Sequence, residues 1–343
     1  MNKFKLILVV CIVVGITACF PSNDSVKSEI LLQGHTMGTT YNIKVVSTLE
    51  QVKSLNLQSK IDSVLKQVNQ QMSTYIPDSE ISRFNHSQST DAIDISTGFA
   101  RVLTESLRLG ELSNGKLDIT VGPLVNLWGF GPEQRPEKVP SDERLAATKE
   151  GIGLAHLHLE GNQLSKSIPN LYLDLSTIAK GYGVDVVAEL IEANGISNYL
   201  VEIGGEIRLQ GFKHTGELWA IAIEKPILDP SGEQRAVHQV IIPKDNAVAT
   251  SGDYRNYYEA DGQRFSHIID PATGKPINHS LVSVTVIAQS SMTADGLSTA
   301  LMVMGAEQGM VFARENDLAA LFISKTENGF EEQYTVKFKQ YLK

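Results

Sequence analysis

Short apolar stretches follow one another closely between Leu154 and Val286, and they constrain the fold more than any other feature. Pairs of residues typical of tight turns separate several of them: Gly161-Asn162, Gly204-Gly205 and Asp261-Gly262. This spacing predicts antiparallel hairpins rather than the regular strand–helix alternation of a parallel sheet. The predicted strands are Leu157-His158-Leu159, Leu171-Tyr172-Leu173, Tyr199-Leu200-Val201, Trp219–Ile223, Val240-Ile241-Ile242 and Val282–Val286.

Helical spacing is found in a few other segments, where apolar residues recur every three or four positions. One predicted helix ends near Met72, a second ends at Asn114-Gly115, and a third ends at Gly305. Leu318–Ser324 is expected to form a buried strand. Helices and strands are therefore mixed along the chain, which predicts an α+β fold with mostly antiparallel strands. The apolar positions of the first two helices are Ile61, Val64, Leu65 and Val68, and Phe99, Val102, Leu103 and Leu107.

The overall charge excludes one class of function. The chain of 343 residues carries a formal net charge of −9, and its lysines and arginines form no cluster. Nucleic acid binding requires a basic face, so no nucleic acid partner is expected. A hydrophobic content of 42% is sufficient for a large core.

The N-terminal residues have the pattern of an export signal. Lys3 and Lys5 precede an apolar run, Leu6–Gly15, that is too short to span a membrane. Small residues then precede Cys19, which resembles a bacterial lipobox with cleavage before Cys19 and lipid on its sulfur. The alternative is a plain signal peptide with an incidental cysteine. We predict a signal peptide at residues 1–18, a tether at 19–28 and a folded domain at 29–343. The mature chain is expected to be anchored by lipid in the cell envelope and to face the periplasm. The inner membrane is the expected location of the anchor.

A carboxylate and a hydroxyl near the C-terminal end form the first candidate site. Asp295 and Thr299 are four residues apart in a segment expected to start a helix, so the two side chains share one helical face. Oxygen ligands of this kind suit a hard cation such as Mg²⁺. The alternative is that Asp295 serves only as a helix-capping residue and Thr299 as a surface residue.

A second segment, Tyr172–Asp185, is expected to be a strand that breaks into a helix. Ser176 is the predicted cap of that helix, and Lys180 lies in its first turn, where amide groups attract anions. The alternative for Lys180 is an ordinary solvated lysine. Gly181 and Gly183 lower helix propensity, which indicates close approach of a ligand or of another backbone.

Further motifs accompany these two segments, and together they resemble the ApbE family, the FAD:protein FMN transferases. The resemblance runs in order from about Gly34 to the last helices. Its motifs are Gly34-His35-Thr36-Met37-Gly38-Thr39, Met72-Ser73-Thr74-Tyr75, Asp118–Gly131, Tyr172–Asp185, Ser266–Gly274 and Thr293–Thr299.

The resemblance implies an enzyme that uses Mg²⁺ to split FAD, releases AMP and attaches FMN to a Thr or Ser hydroxyl of a target protein. It also implies one compact T-fold-like unit with a flavin cleft between two subregions. The implied acceptors are subunits of Na⁺-translocating or electron-transporting redox complexes. The implied metal ligands are Thr177, through its backbone carbonyl, Asp295 and Thr299. The implied flavin contacts are Met37, Tyr75, Lys116, Leu117, Asp118, Asp174, Lys180 and Ile269.

These positions also have simpler interpretations. Met37 and Ile269 could be core residues, Tyr75 an interface aromatic, and Asp118 or Asp174 a turn-stabilising carboxylate.

His267 is the predicted catalytic base, because it lies inside the Ser266–Gly274 motif and its ordinary pKa is near neutrality. The alternative is a structural histidine beside the Asp270-Pro271 turn. Two other functions remain open for the chain: an FAD pyrophosphatase that gives FMN and AMP, and a non-catalytic flavin-binding lipoprotein.

Overall fold

The computed structural model describes residues 26–132, 139–227, 236–254, 256–260 and 263–343. The predicted signal peptide and Cys19 lie outside these residues. The strands are β1 (Ser28–Thr36), β2 (Thr39–Ser47), β3 (Ile93–Asp94), β4 (Leu157–Glu160), β5 (Gln163–Lys166), β6 (Tyr199–Ile203), β7 (Glu206–Gln210), β8 (Ile221–Glu224), β9 (Val237–Ile241), β10 (Ala247–Gly252), β11 (Tyr257–Ala260), β12 (Gln263–Ser266), β13 (Ile269–Asp270), β14 (Lys275–Pro276), β15 (Leu281–Ala288), β16 (Ala319–Thr326) and β17 (Gly329–Tyr334).

The helices join these strands, with a short 3-10 turn at Leu154–His156. They are α1 (Leu49–Ser54), α2 (Leu57–Met72), α3 (Glu80–His86), α4 (Thr97–Leu112), α5 (Gly122–Leu127), α6 (Asp142–Lys149), α7 (Ala179–Ala193), α8 (Ser291–Glu315) and α9 (Val336–Lys339). None of the helices in the described ranges is long and apolar enough to cross a membrane.

An eight-stranded sheet forms the centre of the molecule, in the order β1-β2-β6-β7-β10-β15-β16-β17. Every neighbouring pair in it is antiparallel. Two-stranded and three-stranded sheets lie outside it, including the β8–β9 and β11–β12 hairpins. The prediction of an α+β fold with mostly antiparallel strands is therefore confirmed.

Both faces of the sheet are buried. In β16, Ala320 and Phe322 pack into the core shared with α4 and α8, whereas Leu321 and Ile323 pack on the opposite face with Trp219 and Phe338. This alternation follows from the two-residue period of a strand. At the β1–β2–β6 end, residues of α2 and α7 form a further core against the sheet. Helices α7 and α8 thus lie side by side on one face.

One predicted strand is absent. Leu171-Tyr172-Leu173 is not part of any sheet among the described residues. The Asn85 side-chain amide donates to the Leu173 carbonyl at 2.9 Å and accepts from the Leu173 amide at 2.8 Å. The ammonium of Lys166 donates to the Leu171 carbonyl at 3.3 Å. Side chains therefore satisfy the backbone groups that a neighbouring strand would otherwise satisfy.

Helix α8 changes direction where the sequence predicts its end. Gly305 has φ 78° and ψ 176°, outside helical geometry, and a second helical segment follows it up to Glu315. The His279 ring lies against Gly305, and its Nε2 is 2.9 Å from the Met302 carbonyl oxygen. The segment of α8 that carries Asp295 and Thr299 is therefore a separate helical unit of about four turns.

Candidate active site

Helix α7 begins without the predicted cap. Its first residue is Ala179, and Ser176 lies three residues earlier, exposed, with its amide donating to Asp174 Oδ1 at 2.8 Å. The prediction that Ser176 caps this helix is wrong. The amide of Gly181, in the first turn, donates instead to Asp295 Oδ2 of α8 at 2.9 Å. A carboxylate from the neighbouring helix thus occupies the anion-binding position.

The start of α8 is held in the same way by α7. The carboxylate of Asp185, which is fully buried, accepts from the amides of Ser291 at 3.0 Å and Met292 at 2.9 Å, and from the Ser290 hydroxyl at 2.8 Å. Arg208 of β7 donates to the same carboxylate at 3.1 Å. Each helix therefore supplies an aspartate to the N-terminus of the other.

Glycines allow the close contacts of α7. A Cβ added at Gly181 would lie 2.4 Å from the Ser291 carbonyl oxygen, so only glycine fits against the backbone of α8. A Cβ at Gly183 would lie 2.7 Å from Cε of Met37, the end of a flexible side chain. Gly181 thus confirms the prediction of close backbone approach, and Met37 is placed beside α7.

A buried charged cluster lies where α7, α8 and β7 meet. Asp295 is 4% exposed and Glu206 is 2% exposed. The Lys180 ammonium lies 2.6 Å from Glu206 Oε1. Burial, followed by the charge of Glu206, raises the pKa of Asp295 to about 8, while Lys180 and the Gly181 amide act in the opposite direction. Burial also raises the pKa of Glu206.

The sequence analysis did not identify Glu206. A signal for it existed in β7, where Ile207 and Leu209 pack into the core on the side away from α7. Because side chains alternate along a strand, Glu206 and Arg208 share the other face, which carries α7. A carboxylate and a guanidinium two residues apart on an inward face are unusual without partners.

Oxygen atoms suitable for a hard cation surround this cluster. Asp295 and Thr299 lie one turn apart on α8, and Thr299 Oγ1 is 3.1 Å from the Ser251 hydroxyl of β10. The Thr177 hydroxyl is buried and has no hydrogen-bond partner within the described residues. One carboxylate, two threonine oxygens and nearby backbone carbonyls match the oxygen-rich coordination of Mg²⁺. No group of three or more His, Cys, Asp or Glu residues in the described ranges is arranged to hold a metal.

Several of the predicted flavin contacts are brought near one another. The Asp174 amide donates to the Ile119 carbonyl at 2.8 Å, next to Asp118. Lys116 lies 3.3 Å from Asp270, the residue after Ile269. Tyr75 is 69% exposed, and partial desolvation together with the charge of Asp174 raises its pKa.

Three of the predicted contacts also have clear structural roles. Asp118 Oδ1 accepts from the amide and hydroxyl of Thr120 at 2.8 and 2.6 Å, and burial raises the pKa of this carboxyl. Leu117 is 1% exposed in the main core, and Ile269 is 5% exposed in a smaller cluster with Leu124 and Trp128. The side chains of Leu117 and Ile269 are therefore enclosed, and only their backbones are available to a ligand.

His267 is held with one ring nitrogen directed at the protein. Its Nδ1 is 2.9 Å from the carbonyl oxygen of Asn256, and its ring lies edge-on to Phe130 with centroids 6.3 Å apart. Because a carbonyl only accepts, Nδ1 carries the proton and Nε2 is the acceptor in the neutral ring. Burial lowers the pKa of His267, and the charge of Lys180 lowers it further. Lys180 thus acts electrostatically on both His267 and Asp295.

Comparisons with known proteins identify the family. The family model described as the ApbE family matches residues 37–322. An FAD:protein FMN transferase of Vibrio cholerae is 57% identical over 314 residues, covering 92% of this chain and 93% of that protein. The solved flavin transferase ApbE from Vibrio cholerae gives a TM-score of 0.85 at 54% identity, over 92% of this chain and 100% of that one. The apo form of the Pseudomonas stutzeri flavinyl transferase ApbE gives a TM-score of 0.84 at 40% identity, over 92% of this chain and 97% of that one.

Proposed function

This chain belongs to the ApbE family, and we propose that it is an FAD:protein FMN transferase. Its relatives in Vibrio cholerae, Haemophilus influenzae and Escherichia coli carry that name and are 57%, 48% and 43% identical over more than nine-tenths of this chain. In the proposed reaction a Ser or Thr hydroxyl oxygen of a target protein bonds to the FMN phosphorus. The bond from that phosphorus to the bridging pyrophosphate oxygen breaks, and AMP leaves with that oxygen.

One structural observation carries the proposal. Lys180 lies 2.6 Å from Glu206, and its charge acts on both Asp295 and His267. The proposed site therefore combines a phosphate-binding ammonium, oxygen ligands for a cation and a histidine, with the charge of Lys180 acting on the other two. Phosphoryl transfer depends mainly on positioning and on charge stabilisation, and this set of groups supplies both.

The cation site is proposed on Asp295, Thr299 and Thr177. Mg²⁺ bound there would neutralise negative charge on the pyrophosphate oxygens. The donor set supports this choice, because Asp295 is a buried carboxylate. Thr177 is expected to offer its backbone carbonyl, and its buried hydroxyl, which has no partner in the described structure, is a further oxygen at the same residue. Lys180 would offer its ammonium to the same phosphates, in the way that lysines bind phosphate as point charges.

His267 is the proposed base for the acceptor hydroxyl. Its Nδ1–H is fixed on the Asn256 carbonyl, which leaves Nε2 to accept the hydroxyl proton as the oxygen attacks phosphorus. The lowered pKa keeps the ring neutral at neutral pH. The proton therefore moves to Nε2, and the ring becomes positively charged.

The flavin would lie against Met37, Tyr75, the Lys116-Leu117-Asp118 run, Asp174 and Ile269. Tyr75 supports this placement, since it presents an exposed aromatic ring beside Asp174. Leu117 and Ile269 would contribute backbone groups, because their side chains are enclosed.

The cellular setting is also a proposal and rests on the sequence. We place the chain in the cell envelope, attached through lipid on Cys19 and facing the periplasm. Flavin-accepting subunits of membrane redox complexes are the proposed partners.

Product analysis tests the function. The full chain is incubated with FAD, Mg²⁺ and a Thr-containing target segment, and the products are separated by gel fluorescence and chromatography. A transferase gives protein-linked flavin with AMP in equal amounts, and it binds FAD more tightly than FMN in calorimetry. Free FMN with AMP in the presence of the target would identify a pyrophosphatase, and intact FAD would identify a flavin-binding protein.

A further inference from the structure

Glu206 is a buried carboxylate with one oxygen unused. It follows the Gly204-Gly205 turn at the start of β7 and is 2% exposed. Its Oε1 lies 2.6 Å from the Lys180 ammonium. Its Oε2 is buried and has no hydrogen-bond partner among the described residues. An ionised oxygen removed from water without a donor is costly, so such an atom in a native protein calls for an explanation.

Donors on the adjoining segments of β7 and α7 are committed elsewhere. Arg208, on the same face of β7, donates to Asp185 at 3.1 Å and to Glu192 at 3.1 Å. The Gly205 amide donates to Glu202 at 2.8 Å. The Gly181 amide donates to Asp295 at 2.9 Å. A donor for Glu206 Oε2 must therefore come from something bound in the site.

The surroundings of Glu206 indicate what that donor is. Lys180 pairs with Glu206 Oε1 at 2.6 Å, and the amide of the next residue, Gly181, donates to Asp295 Oδ2 at 2.9 Å, so two successive residues of α7 hold the two carboxyl groups. Two carboxyl groups beside a single ammonium carry a net negative charge once both are ionised, and a bound cation stabilises that ionised state. Mg²⁺ dehydrates reluctantly and keeps several of its waters, and such waters are strong donors.

We propose that Glu206 Oε2 accepts a hydrogen bond from a water molecule of the cation bound at Asp295 and Thr299. Glu206 would then connect Lys180, through Oε1, with the cation, through Oε2. It is a positioning residue for both, and this role rests on the cation site of the proposed function.

Glu206→Gln tests the role with little change of shape. Because the Lys180 ammonium only donates, the amide oxygen of the glutamine must face it. The NH₂ group then faces the cation's water, so an acceptor is replaced by a donor. Losing such a partner of a metal-bound group typically weakens metal affinity by about 10–100-fold.

The measurement is binding of Mn²⁺ alone to the full chain, followed by electron paramagnetic resonance without FAD. Glu202→Gln is the matched control, because it removes the same charge one hairpin turn away, where both carboxylate oxygens already have protein donors, Gly205 and Asn42. We expect Glu206→Gln to weaken Mn²⁺ binding by about 10–100-fold and the control to change it by less than about threefold. Circular dichroism and thermal melting confirm that both variants fold.

Lys180→Met separates the two roles of Glu206. Glu206→Leu is used in this background, because a glutamine that no longer faces Lys180 can turn its amide oxygen to the water. If Glu206 acted only by holding Lys180, Glu206→Leu would have no effect in the Lys180→Met background. We expect the loss of Mn²⁺ affinity to persist there. Its disappearance would overturn the proposed contact with the cation's water.

Asp295→Asn distinguishes this inference from the proposed function. If Asp295→Asn loses Mn²⁺ and Glu206→Gln retains wild-type affinity, the role of Glu206 is wrong and the cation site stands. If wild type and Asp295→Asn bind Mn²⁺ equally, the cation site itself is wrong, and the inference fails with it.

Discussion

Asp185 and Asp295 each accept hydrogen bonds from the N-terminus of the other's helix. Asp185 of α7 accepts from the first amides of α8, and Asp295 of α8 accepts from the Gly181 amide of α7. The first aspartate also bonds to Arg208, whereas the second belongs to the proposed cation site. The helix pair that carries this site is therefore fixed at both of its N-termini by charge-assisted hydrogen bonds.

Asp185→Ala should be strongly destabilising. It would leave the Ser291 and Met292 amides and part of the Arg208 guanidinium buried without their acceptor, and breaking a buried pair in this way costs about 3–5 kcal/mol. Urea unfolding measures the loss. Asp317→Asn is the control, because the Lys337–Asp317 pair is 43% and 83% exposed on its two sides and should contribute less than about 1 kcal/mol. Equal effects in the two variants would contradict the role given to Asp185.

Gly181→Ala should lower stability and Mn²⁺ affinity more than Gly183→Ala does. At Gly181 the added methyl meets the Ser291 backbone at 2.4 Å, so α7 and α8 must separate, with a cost of about 1–3 kcal/mol or more. At Gly183 it meets the end of the Met37 side chain, which can rotate away. Thermal unfolding and Mn²⁺ affinity should both fall more for Gly181→Ala. The opposite order would show that the approach of the two helices is not what selects glycine at position 181.

His267→Ala should separate binding from catalysis. Because His267 is proposed to handle only the proton of the acceptor, the variant should keep its affinity for FAD and Mg²⁺ and slow flavin transfer by about 10²–10⁴-fold. In-gel fluorescence of a target segment against time measures transfer. A variant with wild-type turnover would exclude His267 as the base.

The pH profile gives a second test of His267. Because its pKa lies below the ordinary 6.5, the neutral ring persists at neutral pH, and the rate should be level above about pH 6.5 and fall below it as Nε2 is protonated. The lowered pKa also means that this residue's contribution to stability is present above pH 6.5 and is lost as the pH falls through the folded-state pKa. In His267→Ala, both the transfer rate and the stability should depend less on pH below about pH 6.5. A wild-type rate that rises on acidification would oppose this assignment.

Asp295→Ala should abolish metal-dependent transfer, and Thr299→Ala should reduce it less. A charged ligand contributes more to binding a hard cation than a neutral hydroxyl does. The comparison is the Mg²⁺ concentration that gives half-maximal rate in each variant. A negligible change of this concentration in both variants would indicate that Asp295 and Thr299 have only a structural role where α7 and α8 meet.

Cys19→Ser should abolish lipid attachment. The sulfur is the proposed site of the lipid, and the hydroxyl cannot replace it. Membrane fractionation after salt and carbonate washing, with mass spectrometry of the N-terminus, measures the result. Membrane retention of the serine variant would contradict the anchor.

The parts of the fold that could be predicted are those specified by local spacing. Met72 ends α2, and Gly161-Asn162 and Gly204-Gly205 lie in hairpin turns, because apolar period and turn residues act over a few positions. Leu171–Leu173 was wrongly predicted as a strand, because its partners are the side chains of Asn85 and Lys166, and apolar composition carries no information about them.

Local sequence also predicts only part of the candidate site. Asp295, Thr299 and Lys180 could be placed on helices from their neighbours in the sequence. Asp185 and Glu206 were missed as site residues, because their burial depends on contacts between α7, α8 and β7 that are far apart in the chain. Ser176 was predicted to cap α7 from its type and position, but Asp295, more than a hundred residues later, satisfies the helix instead.

The pairing of β2 with β6 has a consequence for biosynthesis. Tyr41 pairs with Ile203, and the helix that delivers Asp295 and Thr299 follows almost a hundred residues later. Pairings between such distant segments form slowly, and a chain emerging from the ribosome lacks them until it is nearly complete. A polypeptide that ends before α8 therefore lacks Asp295 and Thr299, the two side chains of the proposed cation site.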